Sequence, residues 1–344
     1  MQAALKIDVD TYRGIEDGAA RLASFLHSQK IPASFFVSLG PDTSGRAATR
    51  VFRHKGFLKK MNRTSALSLY GLRTVLSGTV LPPRPMGTSF SHLFHQWRDW
   101  GFEVSPHGFN HILWHDEAAG WDEGRATREL EKVMAVYCRI FGEDPQSFAA
   151  PGWQAGPGTW RAMEKMKLLY HSDTRGHCPY FPSMPALIRP GRSALGHLPP
   201  EGGRSDRLAL SLQGEGGADG RHGDRRAEGE GLPTLEIPTT LPTWDEMLAW
   251  DGIDRRNIVD ETWKCLTPDR LNVWTIHAEF EGTAYFPQFC DFVERAGREG
   301  VKWIFLPDVA RKLLENPGQV PYHEIEQSAR PGRAGTISCQ VKNG

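Results

Sequence analysis

Two histidines four residues apart, His107 and His111, are the residues whose types and spacing most directly suggest chemistry in this chain. Residues i and i+4 on a helical turn share one face, so their imidazoles can bind one metal ion. The alternative is a pair of surface or helix-capping histidines, because the chain contains 13 His and this spacing also arises by chance. His115 extends the repeat, but a carboxylate from another strand would make it unnecessary as a ligand.

Candidate carboxylates and a further histidine occur where other predicted strands end. Asp8 and Asp10 close the first strand, Asp173 closes the fifth, and His277 closes the seventh. Barrel enzymes assemble their sites at the carboxyl ends of strands, from several different loops. Scattered structural residues would not be sorted in this way, so the pattern favours a metal site.

Two histidines and one aspartate, His107, His111 and Asp10, would form a three-ligand site that leaves room for water and substrate. Metal-assisted hydrolysis also needs a base for the water and an acid for the departing amine. We assign Asp8 as the base and His277 as the acid, with Asp173 or Glu279 positioning the His277 ring. The alternatives are a surface aspartate at Asp8, a helix N-cap at Asp10 and a structural histidine at His277.

Short apolar runs alternate with amphipathic segments along most of the chain. Strands are predicted over residues 5–10, 31–39, 102–106, 147–150, 169–173, 235–239, 271–277 and 301–306. Helices are predicted over residues 15–29, 126–141, 159–169, 287–298 and 308–315, with Gly142 as a C-cap. About eight strand-then-helix units indicate an α/β fold with a closed parallel barrel.

Composition excludes several classes of protein. The chain has 344 residues, a formal net charge of zero and 39% hydrophobic residues, which indicates a globular protein without the basic field of a nucleic-acid-binding protein. Its five widely spaced cysteines fit reduced thiols better than a disulfide framework. We expect neither a classical export signal nor a transmembrane helix, because the sequence lacks the required apolar stretches.

Two segments differ from this pattern. Residues 43–96 contain no acidic residue but many basic and apolar ones, among them Lys55, Lys59, Lys60 and Arg63. This composition is typical of a surface that meets lipid headgroups or phosphate, and equally of a solvated basic helix pair packed on the barrel. Residues 189–231 are rich in glycine and read as a disordered insertion. We therefore expect one domain over residues 1–320, with a tail of unclear pattern over 321–344.

The motifs, taken together and in order, resemble those of the polysaccharide deacetylase (NodB-homology) superfamily. They are the DVD run at residues 8–10, the HxxxH run at 107–111, APGW at 150–153, SD at 172–173 and TIH at 275–277. Longer runs, such as IPTTLPTWDE at residues 237–246, are similar to the branch of lipid-linked formamido-sugar deformylases. The similarity extends to about residue 321.

The resemblance implies a distorted (β/α) barrel of seven to eight strands and a metal-dependent deformylase. The metal would be one divalent ion, with Zn, Mn, Co and Fe left open. The implied substrate is 4-deoxy-4-formamido-L-arabinose phosphoundecaprenol, handled by a peripheral protein at the cytoplasmic face of the bacterial inner membrane, for lipid A modification and polymyxin resistance. The basic segment would then contact the lipid phosphate.

The resemblance also implies substrate contacts near Trp153, Arg175 and Glu279. Many superfamily members carry an arginine that fixes the base, whereas the corresponding residue here is Ala149. Arg175 is a candidate for its replacement. The alternatives to the deformylase are an N-deacetylase of another N-acyl amino sugar and a catalytically inactive barrel that binds lipid phosphate.

Overall fold

The computed structural model describes residues 1–45, 77, 82–183 and 232–341. The basic residues Lys55, Lys59, Lys60 and Arg63 and the glycine-rich insertion at 189–231 lie outside the described residues. The strands are β1 (Gln2–Val9), β2 (Ser34–Val37), β3 (Glu103–Pro106), β4 (Ser147–Phe148), β5 (Tyr170–His171), β6 (Phe181–Pro182), β7 (Leu235–Glu236), β8 (Leu271–His277), β9 (Lys302–Trp303), β10 (Tyr322–His323), β11 (Ile325–Ala329) and β12 (Thr336–Gln340).

Strand β1 is the centre of the larger parallel sheet, whose order is β3-β2-β1-β8, with the short β9 pairing the start of β1. All but its first residue are buried, as expected for a parallel strand covered on both faces. The register places Asp8 beside His277 of β8 and beside Phe36 of β2. Residues at the carboxyl end of β1 are therefore brought next to those at the end of β8.

A second parallel sheet, β4-β5-β7, completes the α/β core. The Ala149 amide donates to the Pro106 carbonyl at 3.3 Å, which connects β4 to β3. On the other side, the Thr240 amide donates to Val273 of β8 at 3.0 Å. The expected distorted barrel architecture is confirmed, with parallel strands in two ladders and a few hydrogen bonds across each of the two junctions.

Amphipathic helices cover the outside of the sheets. They are α1 (Ala20–Gln29), α2 (Met86–Ser89), α3 (Ser91–Asp99), α4 (His111–Glu117), α5 (Glu123–Phe141), α6 (Pro157–Glu164), α7 (Trp244–Met247), α8 (Ile258–Cys265), α9 (Phe286–Arg298) and α10 (Leu306–Glu315). The longest, α5, begins where the Asp122 side chain accepts from the Arg125 amide and ends at Gly142, whose φ of 72° is the predicted left-handed C-cap. No helix in the described ranges is long and apolar enough to span a bilayer.

Wide π-helical turns follow β1 and β8, at Gly14–Ala19 and Phe280–Ala284. They pack against each other through glycines. A Cβ added at Gly18 would lie 2.0 Å from the Ala278 carbonyl oxygen, and one at Gly282 would lie 2.6 Å from the Gly18 Cα. The two turns therefore touch backbone to backbone, which only glycine permits.

Residues beyond 321, where the sequence showed no clear pattern, form strands. β11 and β12 are an antiparallel hairpin, with Ile325 opposite Gln340. The Arg175 amide donates to Ser338 at 3.0 Å, and the Gln340 amide donates to the Arg175 carbonyl at 2.8 Å. Ile337 and Cys339 are buried in contact with Trp153, so the hairpin joins the barrel instead of trailing from it.

Candidate active site

The end of β1 and the loop after β3 bring Asp10, His107 and His111 together. His107 directly follows β3, whereas His111 is the first residue of α4, whose N-cap Asn110 accepts from the Leu113 amide at 3.0 Å. The two rings thus do not share one helical turn, as the spacing had suggested. They converge because the chain turns at Gly108, with φ of 75°, before the helix starts.

The three side chains form a compact set of ligand atoms. Asp10 Oδ1 lies 3.4 Å from His107 Nε2 and 3.3 Å from His111 Nε2. His107 Nδ1 lies 2.8 Å from the Ala149 carbonyl oxygen, so this nitrogen carries the proton and Nε2 of the neutral ring carries a lone pair. The acceptors Asp10 Oδ1 and His107 Nε2 then face each other, and the buried Asp10 Oδ1 has no hydrogen-bond partner. A cation between them would satisfy all of these atoms.

The ionisation states also suit metal ligands. Burial alone would raise the pKa of Asp10, but the imidazoles of His111 and His107 bring it well below its usual range. Burial lowers the pKa of His111 to about 4, so this ring is neutral at physiological pH. Ionised carboxylate and neutral imidazole are the forms that bind divalent metals.

Asp8 lies on one side of this set with a buried ammonium beside it. Its Oδ2 is 3.9 Å from His107 Nε2 and 3.6 Å from Lys6 Nζ, and its Oδ1 has no hydrogen-bond partner. Lys6 is fully buried and donates to the Ser172 carbonyl at 2.8 Å. The Lys6 side chain, held in this way, positions the Asp8 carboxylate beside the ligand set.

Arg175 does not occupy the place suggested for it. Its Nη1 donates to both carboxylate oxygens of Glu246 at 2.9 and 2.8 Å, and its Nη2 donates to the Leu241 carbonyl at 2.8 Å. These bonds use the fork of the guanidinium inside the protein, beneath the ring of Trp153. Among the described residues, the cation beside Asp8 is therefore Lys6, at 3.6 Å.

His277 ends β8, next to Asp8 of β1 in the sheet register. Its Nδ1 is 3.5 Å from Asp245 Oδ1, and its backbone amide donates to Glu281 at 2.8 Å. Burial would lower the pKa of His277, but the carboxylates of Asp245, Asp10 and Asp8 outweigh this and raise it to about 9. The ring is thus an imidazolium at neutral pH, which is the form that can donate a proton.

The carboxylate beside the His277 ring is Asp245, rather than Asp173 or Glu279 as expected. Glu279 Oε1 instead accepts from the amides of Asp10 and Thr11 at 2.9 and 2.8 Å and from the Thr11 hydroxyl at 2.8 Å. Burial and the charge of Asp10 raise the pKa of Glu279 to about 8. Glu279 therefore shapes the loop that carries Asp10.

Asp173 lies in the barrel interior. It is fully buried, accepts from the Ala150 amide and lies 3.4 Å from His171 Nδ1. Burial, together with the nearby Glu236, raises the pKa of Asp173 well above its usual range. Asp173 supports the loop at residues 150–153 by accepting from the Ala150 amide.

The Trp153 ring packs among several charged side chains. It is buried, with its indole donating to Thr239 Oγ1 at 3.2 Å and its ring meeting the edge of His277 at 6.4 Å between centroids. Lys6 Nζ lies 5.5 Å from the ring centroid and the Arg333 guanidinium lies 4.7 Å from it. The indole is thus held rigidly beside the candidate acid.

Three residues at this site escaped the sequence reasoning. Lys6 lies within an apolar strand, where a lysine is unusual unless a carboxylate lies beside it. Asp245 belongs to the capping box that starts α7, where its neighbour Glu246 takes the capping role. Arg333 lies in the hairpin turn, and no sequence signal points to it.

Two relatives are similar in sequence to this chain along almost its whole length. It is 30% identical over 341 residues to a probable 4-deoxy-4-formamido-L-arabinose-phosphoundecaprenol deformylase, ArnD, of Shewanella sediminis, covering 99% of this chain and 95% of the relative. The ArnD of Wigglesworthia glossinidia brevipalpis is 26% identical over 330 residues, covering 96% of this chain and 99% of the relative. No protein-family model matches.

The chain belongs to the ArnD family of deformylases. The relatives in this family are named as deformylases, and this chain is a hydrolase that acts on an amide bond. Solved structures agree on the fold. A probable polysaccharide deacetylase from Pseudomonas aeruginosa PAO1 has a TM-score of 0.54 at 14% identity, covering 92% of this chain and 91% of that one. The allantoinase PuuE has a TM-score of 0.55 at 13% identity, covering 92% and 90%.

Proposed function

We propose that this protein is a metal-dependent deformylase that converts 4-deoxy-4-formamido-L-arabinose phosphoundecaprenol to the 4-amino sugar lipid, for modification of lipid A and polymyxin resistance. The relatives' names supply the substrate. The observation that carries the chemistry is Asp10 Oδ1 at 3.4 and 3.3 Å from the Nε2 atoms of His107 and His111.

The donor set suits a divalent ion held by Asp10, His107 and His111. The three ligand atoms lie within 4.8 Å of one another, so small side-chain movements would close them around an ion. When bound, such an ion supplies a Lewis acid for the formyl oxygen and lowers the pKa of a water molecule. Imidazole and carboxylate ligands suit Zn²⁺, Mn²⁺, Co²⁺ and Fe²⁺.

Two residues near the ligand set, Asp8 and His277, carry out the proton transfers. Asp8, held beside Lys6, takes the proton of the attacking water. His277, protonated because of Asp245, gives its proton to the amine nitrogen as the C–N bond breaks. The products are formate and the 4-amino sugar, and the two groups exchange protonation states during one turnover.

A lipid-linked substrate requires contact with a membrane surface. The acid-free segment at residues 43–96, with Lys55, Lys59, Lys60 and Arg63, has the composition that binds lipid phosphate. We propose that it places the protein peripherally at the cytoplasmic face of the inner membrane. Trp153, beside the candidate acid, would limit the acyl group that the site accepts.

The test is mass spectrometry of the purified protein incubated with formamido-sugar and acetamido-sugar lipids, together with metal analysis. We expect loss of formyl from the first lipid and no change in the second. Asp10→Ala should lose both bound metal and turnover, whereas Asp8→Asn should keep the metal and lose at least about a hundredfold in kcat. Asp251→Ala, at an exposed aspartate, is the matched control and should behave as wild type.

Full activity and normal metal content in Asp10→Ala would refute the ligand assignment. Removal of acetyl in preference to formyl would instead indicate an N-deacetylase, and no turnover of either lipid would indicate a binding protein.

A further inference from the structure

A second group of metal-ligating side chains lies outside the active site, and it shares no residue with it. His177, Cys178 and His323 each place one ligand atom within 4.8 Å of the others. His177 and Cys178 are neighbours in the turn that precedes β6, and His323 belongs to β10. Because β10 pairs with β6, these segments meet although they are far apart in the sequence. The three residues are called the second ligand cluster below.

We propose that the second ligand cluster binds a transition metal that prefers thiolate and imidazole, of which Zn²⁺ is the representative. Sulfur and imidazole nitrogen are softer ligands than the carboxylate of the active site, so this cluster would select for such metals more strongly. Three protein ligands leave one position of a tetrahedral ion for water.

The surroundings of His323 fix how its ring can act. Its Nδ1 lies 3.2 Å from the Val341 carbonyl oxygen, so Nδ1 carries the proton and Nε2 carries the lone pair. This carbonyl–imidazole arrangement is the usual support of a metal-binding histidine. The rings of His177 and Tyr180 meet it nearly at right angles, with centroids 5.3 and 5.6 Å away. His323 is only 6% exposed, so its orientation is set by the fold.

The surroundings of Cys178 are organised by a single side chain from β12. Gln340 Oε1 accepts from the amides of His177 and Cys178 at 2.8 and 3.3 Å, and its Nε2 donates to Cys178 Sγ at 3.4 Å. An amide that donates to sulfur supports the thiolate form, as do the hydrogen bonds around metal-bound cysteines. The turn that carries two of the ligands is therefore held before any ion arrives.

The distances require only a modest adjustment. Zn–S and Zn–N bonds of about 2.3 and 2.0 Å place the ligand atoms of a tetrahedral site about 3.3 to 3.7 Å apart. Side-chain rotations of His177 and Cys178, which are half-buried, would close the separation from its present limit of 4.8 Å.

The position indicates a structural role. An ion here would join the turn after Arg175 to the C-terminal strands, whose hairpin covers Trp153 and Arg175. Binding to the folded state alone would raise the free energy of unfolding. We expect metal at this cluster to raise the melting temperature without entering the hydrolysis.

The test uses the full chain, prepared free of metal and titrated with Co²⁺, because a thiolate ligand gives a charge-transfer absorption band that imidazole and carboxylate ligands do not. We expect two ions per chain and a thiolate band in wild type. Cys178→Ser should lose the band and one ion, while Asp10→Ala should keep the band and lose the other ion. Cys290→Ser, at a half-buried cysteine of α9, is the matched control and should keep both.

A wild-type protein without the thiolate band, or a band that persists in Cys178→Ser, would overturn the proposal. If Cys178→Ser does not fold, as judged by circular dichroism, His177→Gln decides instead. We expect it to weaken Zn²⁺ binding at one of two sites by about tenfold or more in competition with a chelator. Unchanged affinity at both sites would overturn the proposal, and none of these results depends on deformylation.

Discussion

Two cationic side chains near the candidate metal ligands, Lys6 and His277, have different roles. Lys6 lies 3.6 Å from Asp8 and positions that carboxylate as the proton acceptor. The His277 imidazolium lies 3.5 Å from Asp245 and is itself the proton donor. The Lys6–Asp8 pair is buried, whereas the Asp245 side chain is 47% exposed, so the first pair is the better shielded from solvent.

The pH dependence of turnover should report the second of these pairs. Asp245→Asn removes the charge that stabilises the imidazolium, so the pKa of His277 should fall from about 9. A general acid is active only while protonated, and activity is lost as the pH rises through its pKa. The alkaline limb of kcat/KM should therefore move to lower pH, by about one unit or more.

Asp254→Asn makes the same change at an exposed aspartate that pairs with Arg256, and it should leave this profile unchanged. An alkaline limb that does not move in Asp245→Asn would show that His277 is held protonated by other groups.

The first pair can be tested by replacing the ammonium. Lys6→Met leaves Asp8 without its cation and the Ser172 carbonyl without its donor. We expect kcat to fall by about tenfold to a hundredfold with metal content unchanged, as for other residues that support a site from behind. Lys6→Arg, which keeps the charge, should recover part of the rate. A Lys6→Met protein with wild-type kcat would remove Lys6 from the mechanism.

At the level of helices and strands, the features that follow from periodicity were predictable. The apolar run of β1, the amphipathic α5 and its C-cap at Gly142 follow from local sequence, and so does the convergence of Asp10 with His107 and His111. The convergence is predictable because parallel strands of a barrel end on one face.

What sequence could not supply depends on long-range packing. The hairpin β11–β12 has mostly exposed residues on β11, so it lacks the alternation that marks a half-buried strand. Asp245 and Lys6 acquire their roles only when α7 and β1 are placed beside the site. The replacement of Arg175 by Lys6 as the partner of Asp8 is a property of three-dimensional position, not of motif order.

The seating of the hairpin depends on one glycine in its turn. A Cβ at Gly332, where φ is 85°, would lie 2.2 Å from the Glu246 carbonyl oxygen. Gly332→Ala should therefore push the turn away, including Arg333, which lies 3.5 Å from Glu246 and covers Trp153. We expect a lower melting temperature and a higher KM.

Gly335→Ala is the matched control, because its φ of 79° gives similar backbone strain, about 1 to 2 kcal/mol, but its Cβ meets open space. Equal losses in the two variants would mean that strain alone matters and that the contact with Glu246 does not.

For the whole molecule, the question is how a barrel without a described membrane-spanning helix reaches the lipid-linked substrate proposed for it. Replacing Lys59, Lys60 and Arg63 by Glu should release the protein from anionic vesicles in co-sedimentation, since each basic residue near such a surface contributes about 1 kcal/mol. Turnover of a short-chain soluble analogue should be preserved.

The matched control changes three exposed basic residues of the described barrel, Lys30, Arg298 and Lys302, to Glu. It alters the net charge equally. Comparable release by both triple variants would indicate general electrostatic attraction, and unchanged sedimentation of the first would argue against a lipid-binding role for residues 43–96.

The glycine contact between the turns Gly14–Ala19 and Phe280–Ala284 limits how this enzyme can be re-engineered. Gly18 and Gly282 leave no room for a side chain, so the turns that follow Asp10 and His277 are packed backbone to backbone as one unit. Directed evolution toward a bulkier acyl group would therefore have to change the other part of the site, which consists of the loop at Trp153 and the C-terminal hairpin. Substitutions in that part would change the selectivity for the acyl group without moving the proton-transfer residues Asp8 and His277.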